Sequence, residues 1–200
     1  ESISKAAEKA YYQAKLASRS STFHFDESAR PAHRGSYKSP YVKSRTELSA
    51  GNMNSLLLDA YKHLKVSDKI VSASSLCNII ETEFRFVSSN GSDISQSFLM
   101  LEFDLRATAA DGTNQQTRTF GGMRGNCKQI GVEFLDQLEI IAQASTVGEQ
   151  ALELLNADEC PTGDLDIVIA PDQMMLQIHE SIGHALEVDR ILGDERNYAG

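Results

Sequence analysis

The sequence predicts an α+β fold: an antiparallel β-meander packed by helices, followed by a strand-turn-helix that bears two histidines. Three observations carry this reading. Between Ile79 and Phe120 apolar and polar residues alternate with period two. Residues 52–65 and 132–156, on either side, repeat with the helical period. The turn dipeptides Asn90-Gly91 and Asp111-Gly112 divide the alternating stretch into three strands.

In chain order, residues 2–19 are rich in Ala, Lys, Glu and Gln, with Ala6, Ala10, Ala14 and Ala17 at helical spacing, which predicts a helix with a thin apolar face. Residues 20–46 contain Pro31 and Pro40 and hold no period, so they read as a long connection. Met53, Leu56, Leu57, Ala60 and Leu64 form one stripe of a short helix over 52–65, with Lys62 and Lys65 placed to suit its dipole. Strands are predicted at Ile79–Ser88, Ile94–Ala109 and Gln115–Phe120. In the second, Leu99, Leu101, Phe103 and Leu105 alternate with Met100, Glu102, Asp104 and Arg106, the pattern of a sheet with one wet face. Phe134, Leu138, Ile141, Leu152 and Leu155 predict a helix over 132–156 that packs on the sheet. A short apolar strand, Leu165–Ala170, then leads through Pro171-Asp172, with Asp172 as N-cap, to a helix starting near Gln173. This divides the chain into residues 1–45, a helix and extended arm; 46–127, the meander region; and 128–200, the helix-strand-helix segment. Residues 46–200 are expected to form one structural unit. The chain opens on Glu1 inside a running helix and closes soon after its most informative motif, so it reads as a segment of a longer protein.

Composition narrows the function. The chain has 200 residues, 41% hydrophobic and 24% charged, as globular proteins do. Its net charge of −9 repels phosphate backbones and anionic lipid, which argues against nucleic-acid and membrane partners. No apolar run approaches the roughly 18–20 residues of a membrane span. Cys77, Cys127 and Cys160 are odd in number and widely spaced, which suggests a reducing compartment and buried, inert thiols.

The last predicted helix reads Gln177-Ile178-His179-Glu180-Ser181-Ile182-Gly183-His184. Two imidazoles around a glutamate are the residue types of a metal-dependent hydrolase, because neutral imidazole ligates zinc and a carboxylate can take a proton from bound water. The spacing is HExxxH, however. Residues four apart on an α-helix differ by roughly 40° about the axis, and residues five apart by roughly 140°. A regular helix therefore separates the rings, whereas a π turn, with its i to i+5 hydrogen bond, brings them to one face. Gly183 is expected to ease that distortion. The bare string arises by chance in roughly one such sequence in a hundred. His24, His33 and His63 are scattered. Gly121-Gly122-Met123-Arg124-Gly125 lacks any phosphate-loop pattern and reads as a strand end, and the basic stretch from Arg30 to Lys43 reads as a solvated arm.

The segment DLDIVIAPDQMMLQIHESIGHALEVDRILGDERNYAG resembles the TldD/PmbA family of metalloproteases, also called modulators of DNA gyrase. In that family an apolar strand leads through a proline-acid turn to a helix bearing HExxxH, then Leu-Glu and Asp. ETEFRFVSSNG, FLMLEFDLRATAADG and Gly121-Gly122 follow the family's layout upstream. The resemblance implies that His179 and His184 are ligands of one zinc ion and that Glu180 is the catalytic acid-base. It places Glu187 and Asp189 at acidic positions after the motif, with Gly183 and these two acids as outer residues of the site. Val188 stands where family members commonly carry glycine. The third ligand is implied to be a cysteine of a downstream domain, a position that none of Cys77, Cys127 and Cys160 matches, so this segment alone is expected to bind metal weakly. The implied protein is a cytoplasmic peptidase that cleaves unfolded or extended polypeptides and pairs with a related subunit. The alternative is a non-catalytic peptide-binding or scaffold subunit of the same assembly. A role on DNA is disfavoured by the acidic charge.

Overall fold

The computed structural model describes residues 2–21, 31–121, 126–193 and 195–197. The fold is α+β. Its five strands are β1 (Arg34–Lys38), β2 (Ile70–Val87), β3 (Asp93–Asp111), β4 (Asn114–Thr119) and β5 (Asn126–Lys128). The helices are α1 (Ser2–Ala17), α2 (Ala50–Leu64), α3 (Phe134–Gln137), α4 (Ile140–Glu153), α5 (Pro171–Ile178) and α6 (Val188–Leu192). By packing, the chain divides into two compact units, residues 1–36 with 84–96, and residues 37–83 with 97–200.

In the first unit α1 is exposed along its length, as its thin apolar face predicts. The turn between β2 and β3 falls on Asn90-Gly91. Gly91 adopts φ +94°, a conformation open to glycine at no steric cost, and its N–H donates to the Ser88 carbonyl at 3.0 Å. Arg85 grips Asp93 with two nitrogens at 3.2 and 3.0 Å. That contact holds the Asp93 carboxyl below its usual range and the guanidinium above its own.

β3 is the organising strand of the sheet: β1 and β2 flank it, and β4 and β5 also pair with it. β4 runs antiparallel from Arg106↔Thr119 to Asp111↔Asn114, and β5 antiparallel from Leu101↔Lys128 to Phe103↔Asn126. The alternation read in the sequence is realised, since Leu99, Leu101, Phe103, Leu105, Ala107 and Ala109 are all buried. Leu101, Phe103, Leu105, Ala107 and Ala109 share one core with Ala60 and Leu64 of α2 and Ile140, Ala144, Val147 and Ala151 of α4, with Met53, Leu56, Leu57, Leu138, Ile141, Leu152 and Leu155 around its margin. The Ser49 side chain caps α2 by accepting from Asn52 N–H at 3.1 Å, which starts the helix two residues earlier than predicted.

Several boundaries differ from the sequence reading. β2 starts at Ile70 rather than Ile79. Its inward side carries Ala73, Ser75, Cys77 and Ile79 while apolar Leu76 and Ile80 face outward, so hydropathy does not alternate with burial, and Ser75 Oγ donates to the Leu57 carbonyl at 2.8 Å. β1, Arg-Gly-Ser-Tyr-Lys, lies inside the stretch read as a connection, because the ladder places it and its side chains do not. The helix read over 132–156 is broken at Glu139, whose φ of +46° lies in the left-handed region, and α4 restarts after it. Leu165–Ala170 forms no strand: it is solvent-exposed, Val168 completely so, and an extended apolar run becomes a strand only where a ladder accepts its amides. Cys77 packs at the edge of the core, and burial pushes its thiol up to about 11, helped by Glu102. Cys127 and Cys160 are exposed, contrary to the expectation of burial.

Glu133 fastens the 41–43 loop to the start of α3. Its Oε1 accepts from Val42 N–H at 2.9 Å and from Gly131 N–H at 3.3 Å, and its Oε2 accepts from Lys43 N–H at 2.9 Å. Burial opposes the charge, but the amides of Val42, Lys43, Glu133 and Gly131 outweigh it and hold the carboxyl below its usual range. A depressed folded-state pKa contributes stability above the unfolded value, about 4.3, that is lost as pH falls through the folded value. The melting temperature of Glu133→Gln should therefore lie below wild type at pH 7, and the gap should close as the pH is taken below 4. A gap that does not change with pH would contradict this.

Candidate metal centre

The segment that bears the motif is built by local rules. Pro171 occupies the first position of α5, where its fixed φ suits the helix and its missing N–H costs nothing. Ala170 is therefore the N-cap, and Asp172 lies in the first turn instead of capping it, two residues ahead of the predicted start. The expected π turn is present over His179–Gly183, with His184 N–H donating to the His179 carbonyl five residues back. A 3₁₀ turn, His184–Leu186, and α6 follow, and Gly193 closes α6 at φ +84°.

The extra residue of the π turn rotates His184 onto the face of His179. Their ring centroids lie 4.6 Å apart with planes at 78°. One ligand atom each from His179, Glu180 and His184 falls within 4.8 Å of the others, and among the described residues no other group of three His, Cys, Asp or Glu does so. His184 Nε2 is 3.9 Å from Glu180 Oε2, and the two side chains are 27% and 46% exposed. Two imidazoles on one tetrahedral zinc place their nitrogens about 3.3 Å apart, from Zn–N bonds near 2.0 Å. Two imidazole nitrogens and a carboxylate oxygen gathered within 4.8 Å are a donor set that zinc takes, so the residues present fit a metal ion.

Behind His184, its Nδ1 lies 2.9 Å from Glu187 Oε1, and Arg190 Nη2 forms an ion pair with Glu187 Oε2 at 3.1 Å. Arg190 was not singled out by the sequence reading, although its place three residues after an acid at the start of a helix is the available signal. Asp189 makes a local contact instead, its Oδ1 accepting from Arg190 N–H at 2.9 Å. Val188 opens α6 with an exposed side chain. Gly183 departs from expectation in kind: its φ of −57° and ψ of −55° are ordinary helical values, and a Cβ there would meet only the Ile178 carbonyl at 3.7 Å. The π turn does not need a glycine, and Gly183→Ala should leave zinc affinity unchanged in a metal titration; a large loss would show that the turn depends on it.

The other candidates stand apart. His63 Nδ1 bonds the Asp59 carbonyl one turn back at 2.9 Å. His33 pairs through its backbone with Ser92 and Asp93. His24, Arg30 and residues 122–125 lie outside the described residues. Gly121 takes φ +83° just after β4, in keeping with a strand end. The basic arm is partly engaged: Arg34 Nε donates to the Gly91 carbonyl at 3.0 Å, and Lys43 Nζ to Asp136 at 2.6 Å.

Residues 38–155 match the family model described as the PmbA/TldA metallopeptidase central domain, which covers more than half of the chain. The chain belongs to the TldD/PmbA family. Relatives agree with that placement. A metalloprotease of Methanothermobacter thermautotrophicus is 32% identical over 149 residues, 74% of this chain and 31% of that protein. A metalloprotease of Methanocaldococcus jannaschii is 26% identical over 98% of this chain and 42% of that protein. The chain thus spans less than half the length of either relative. The family model ends before the motif, whereas the second alignment leaves too few residues unmatched to omit positions 179–184. A crystal structure of a Thermotoga maritima MSB8 protein, a candidate modulator of a DNA gyrase, aligns with a TM-score of 0.49 and 17% identity over 62% of this chain and 27% of that one. A metallopeptidase family implies a metal ion, and His179, Glu180 and His184 are the donors that the TldD/PmbA chain gathers. No described helix is long and apolar enough to cross a membrane.

Proposed function

We propose that this TldD/PmbA chain carries the zinc-binding half-site and the general base of a peptidase that cleaves unfolded or extended polypeptides. One observation supports it above the rest: the π turn gathers His179, Glu180 and His184 on one open face. His179 and His184 would hold the ion through imidazole nitrogens. When bound, zinc supplies Lewis-acid chemistry, polarising a carbonyl and making a water easier to deprotonate. The chain's own part is the proton. Glu180, on the same face, accepts it from the attacking water at a carboxylate oxygen and returns it to the leaving amine nitrogen, as the new carbon–oxygen bond forms and the carbon–nitrogen bond breaks. His179 and His184 take no proton in this scheme; they fix where the carbonyl lies relative to Glu180.

The reading extends to a third ligand outside this segment, since a catalytic zinc takes three protein ligands. It also extends to a second subunit of the family as partner and to the cytoplasm as the compartment, both carried by the family resemblance. The test is cleavage of an unstructured peptide by the zinc-loaded protein and its Glu180→Gln variant. Equal rates would sink the mechanism, and a wild-type protein that binds peptide without cleaving it would favour the scaffold role.

A further inference from the structure

The contact behind His184 makes a choice that the ligand set alone leaves open. A histidine can present either ring nitrogen to a metal, and the hydrogen bond made by one nitrogen decides which. An ionised carboxylate only accepts hydrogen bonds, so Glu187 Oε1 at 2.9 Å requires a proton on His184 Nδ1. In the neutral ring the lone pair then lies on Nε2. That is the nitrogen facing Glu180, 3.9 Å from its Oε2, on the side of His179. Glu187 is held in turn: Arg190 Nη2 pairs with its second oxygen at 3.1 Å as an ion pair, and the Arg190 side chain is only 14% exposed. The 3₁₀ turn over His184–Leu186 sets this relay, because it brings residues three apart onto one side.

We propose that Glu187 is the positioning residue of the metal site: clamped by Arg190, it fixes His184 as the Nδ1–H tautomer and aims Nε2 at the ion. The inference rests on the zinc reading above. It differs from that reading in what it requires, because the tautomer is set before any metal arrives. It also separates the two acids after the motif, since the Asp189 side chain has one described contact, with the neighbouring Arg190 amide.

The test uses the ¹⁵N-labelled 200-residue chain, first free of metal and then titrated with zinc. Long-range nitrogen–proton correlation of the imidazole rings reports which nitrogen carries the proton. Wild type should show His184 protonated at Nδ1 only. Glu187→Ala should lose that preference and bind zinc about 10–100-fold more weakly, the usual effect of removing such an outer partner. Glu187→Gln, whose amide oxygen can still accept, should keep the tautomer and most of the affinity. Asp189→Ala should match wild type in both readouts. Glu187 is 43% exposed, so its loss should not unfold the chain, and unchanged amide spectra away from 179–192 will verify this. An unchanged tautomer in Glu187→Ala, or an affinity within twofold of wild type, overturns the proposal. A failed zinc reading looks different: wild type would show the Nδ1–H tautomer and bind no zinc.

Discussion

Glu180→Gln should lower peptide cleavage by about 10²–10⁴-fold, the range over which a positioned general base contributes. The amide keeps the size of the carboxylate but cannot accept the proton of an attacking water. The loss should appear in kcat, because the group acts in the transition state rather than in substrate binding. Bound zinc should be retained, because the two imidazoles proposed to hold it converge through the backbone of the π turn and not through Glu180. Single-turnover cleavage measured beside metal content separates these effects. A variant that loses both together would show that Glu180 is a ligand instead of a base.

Gly131→Ala should be the most damaging single methyl in the second unit. A Cβ at this position would stand 2.0 Å from the Lys43 carbonyl oxygen, 2.4 Å from Glu133 Oε2 and 2.9 Å from Tyr41 Cβ. None of these gives way easily. The Lys43 carbonyl accepts from Val132 N–H at 3.1 Å, and the Glu133 carboxylate holds the amides of Val42 and Lys43. Relief of the clash breaks that clasp, so the cost should reach the upper end of overpacking, about 3 kcal/mol. For a chain of this size that lowers Tm by about 6–12 °C. Gly148 offers a comparison. Its added Cβ would lie 2.5 Å from the Leu64 carbonyl, yet the helix preference of Ala over Gly, about 1 kcal/mol, offsets part of the strain in α4. Thermal melts should therefore rank Gly131→Ala below Gly148→Ala, and both below wild type. A Gly131→Ala protein that melts with wild type would show that the 41–43 loop can move away without cost.

The sequence is most legible where burial and side-chain size coincide. β3 is readable because Leu99, Leu101, Phe103 and Leu105 are large, alternate and are all buried. From Ala73 to Ile80 β2 also alternates in burial, but its outward residues Leu76 and Ile80 are more apolar than the inward Ala73 and Ser75, so hydropathy does not follow burial. β1 and the three-residue β5 are strands only because a ladder accepts them, and a ladder is a tertiary fact. The reverse error occurs at Leu165–Ala170, where an apolar run has no ladder to join. The π turn was foreseeable because HExxxH and convergence together require it. Arg190 was not, because its importance comes from touching Glu187, and neither residue bears the motif.

Zinc-edge X-ray absorption of the metal-loaded chain tests most directly whether the π turn places His179 and His184 on one ion. The expected result is one zinc with two imidazole nitrogens at about 2.0 Å, reduced to one imidazole in either His179→Ala or His184→Ala. A zinc shell with one imidazole or none in the wild-type chain, unchanged by either substitution, would contradict it.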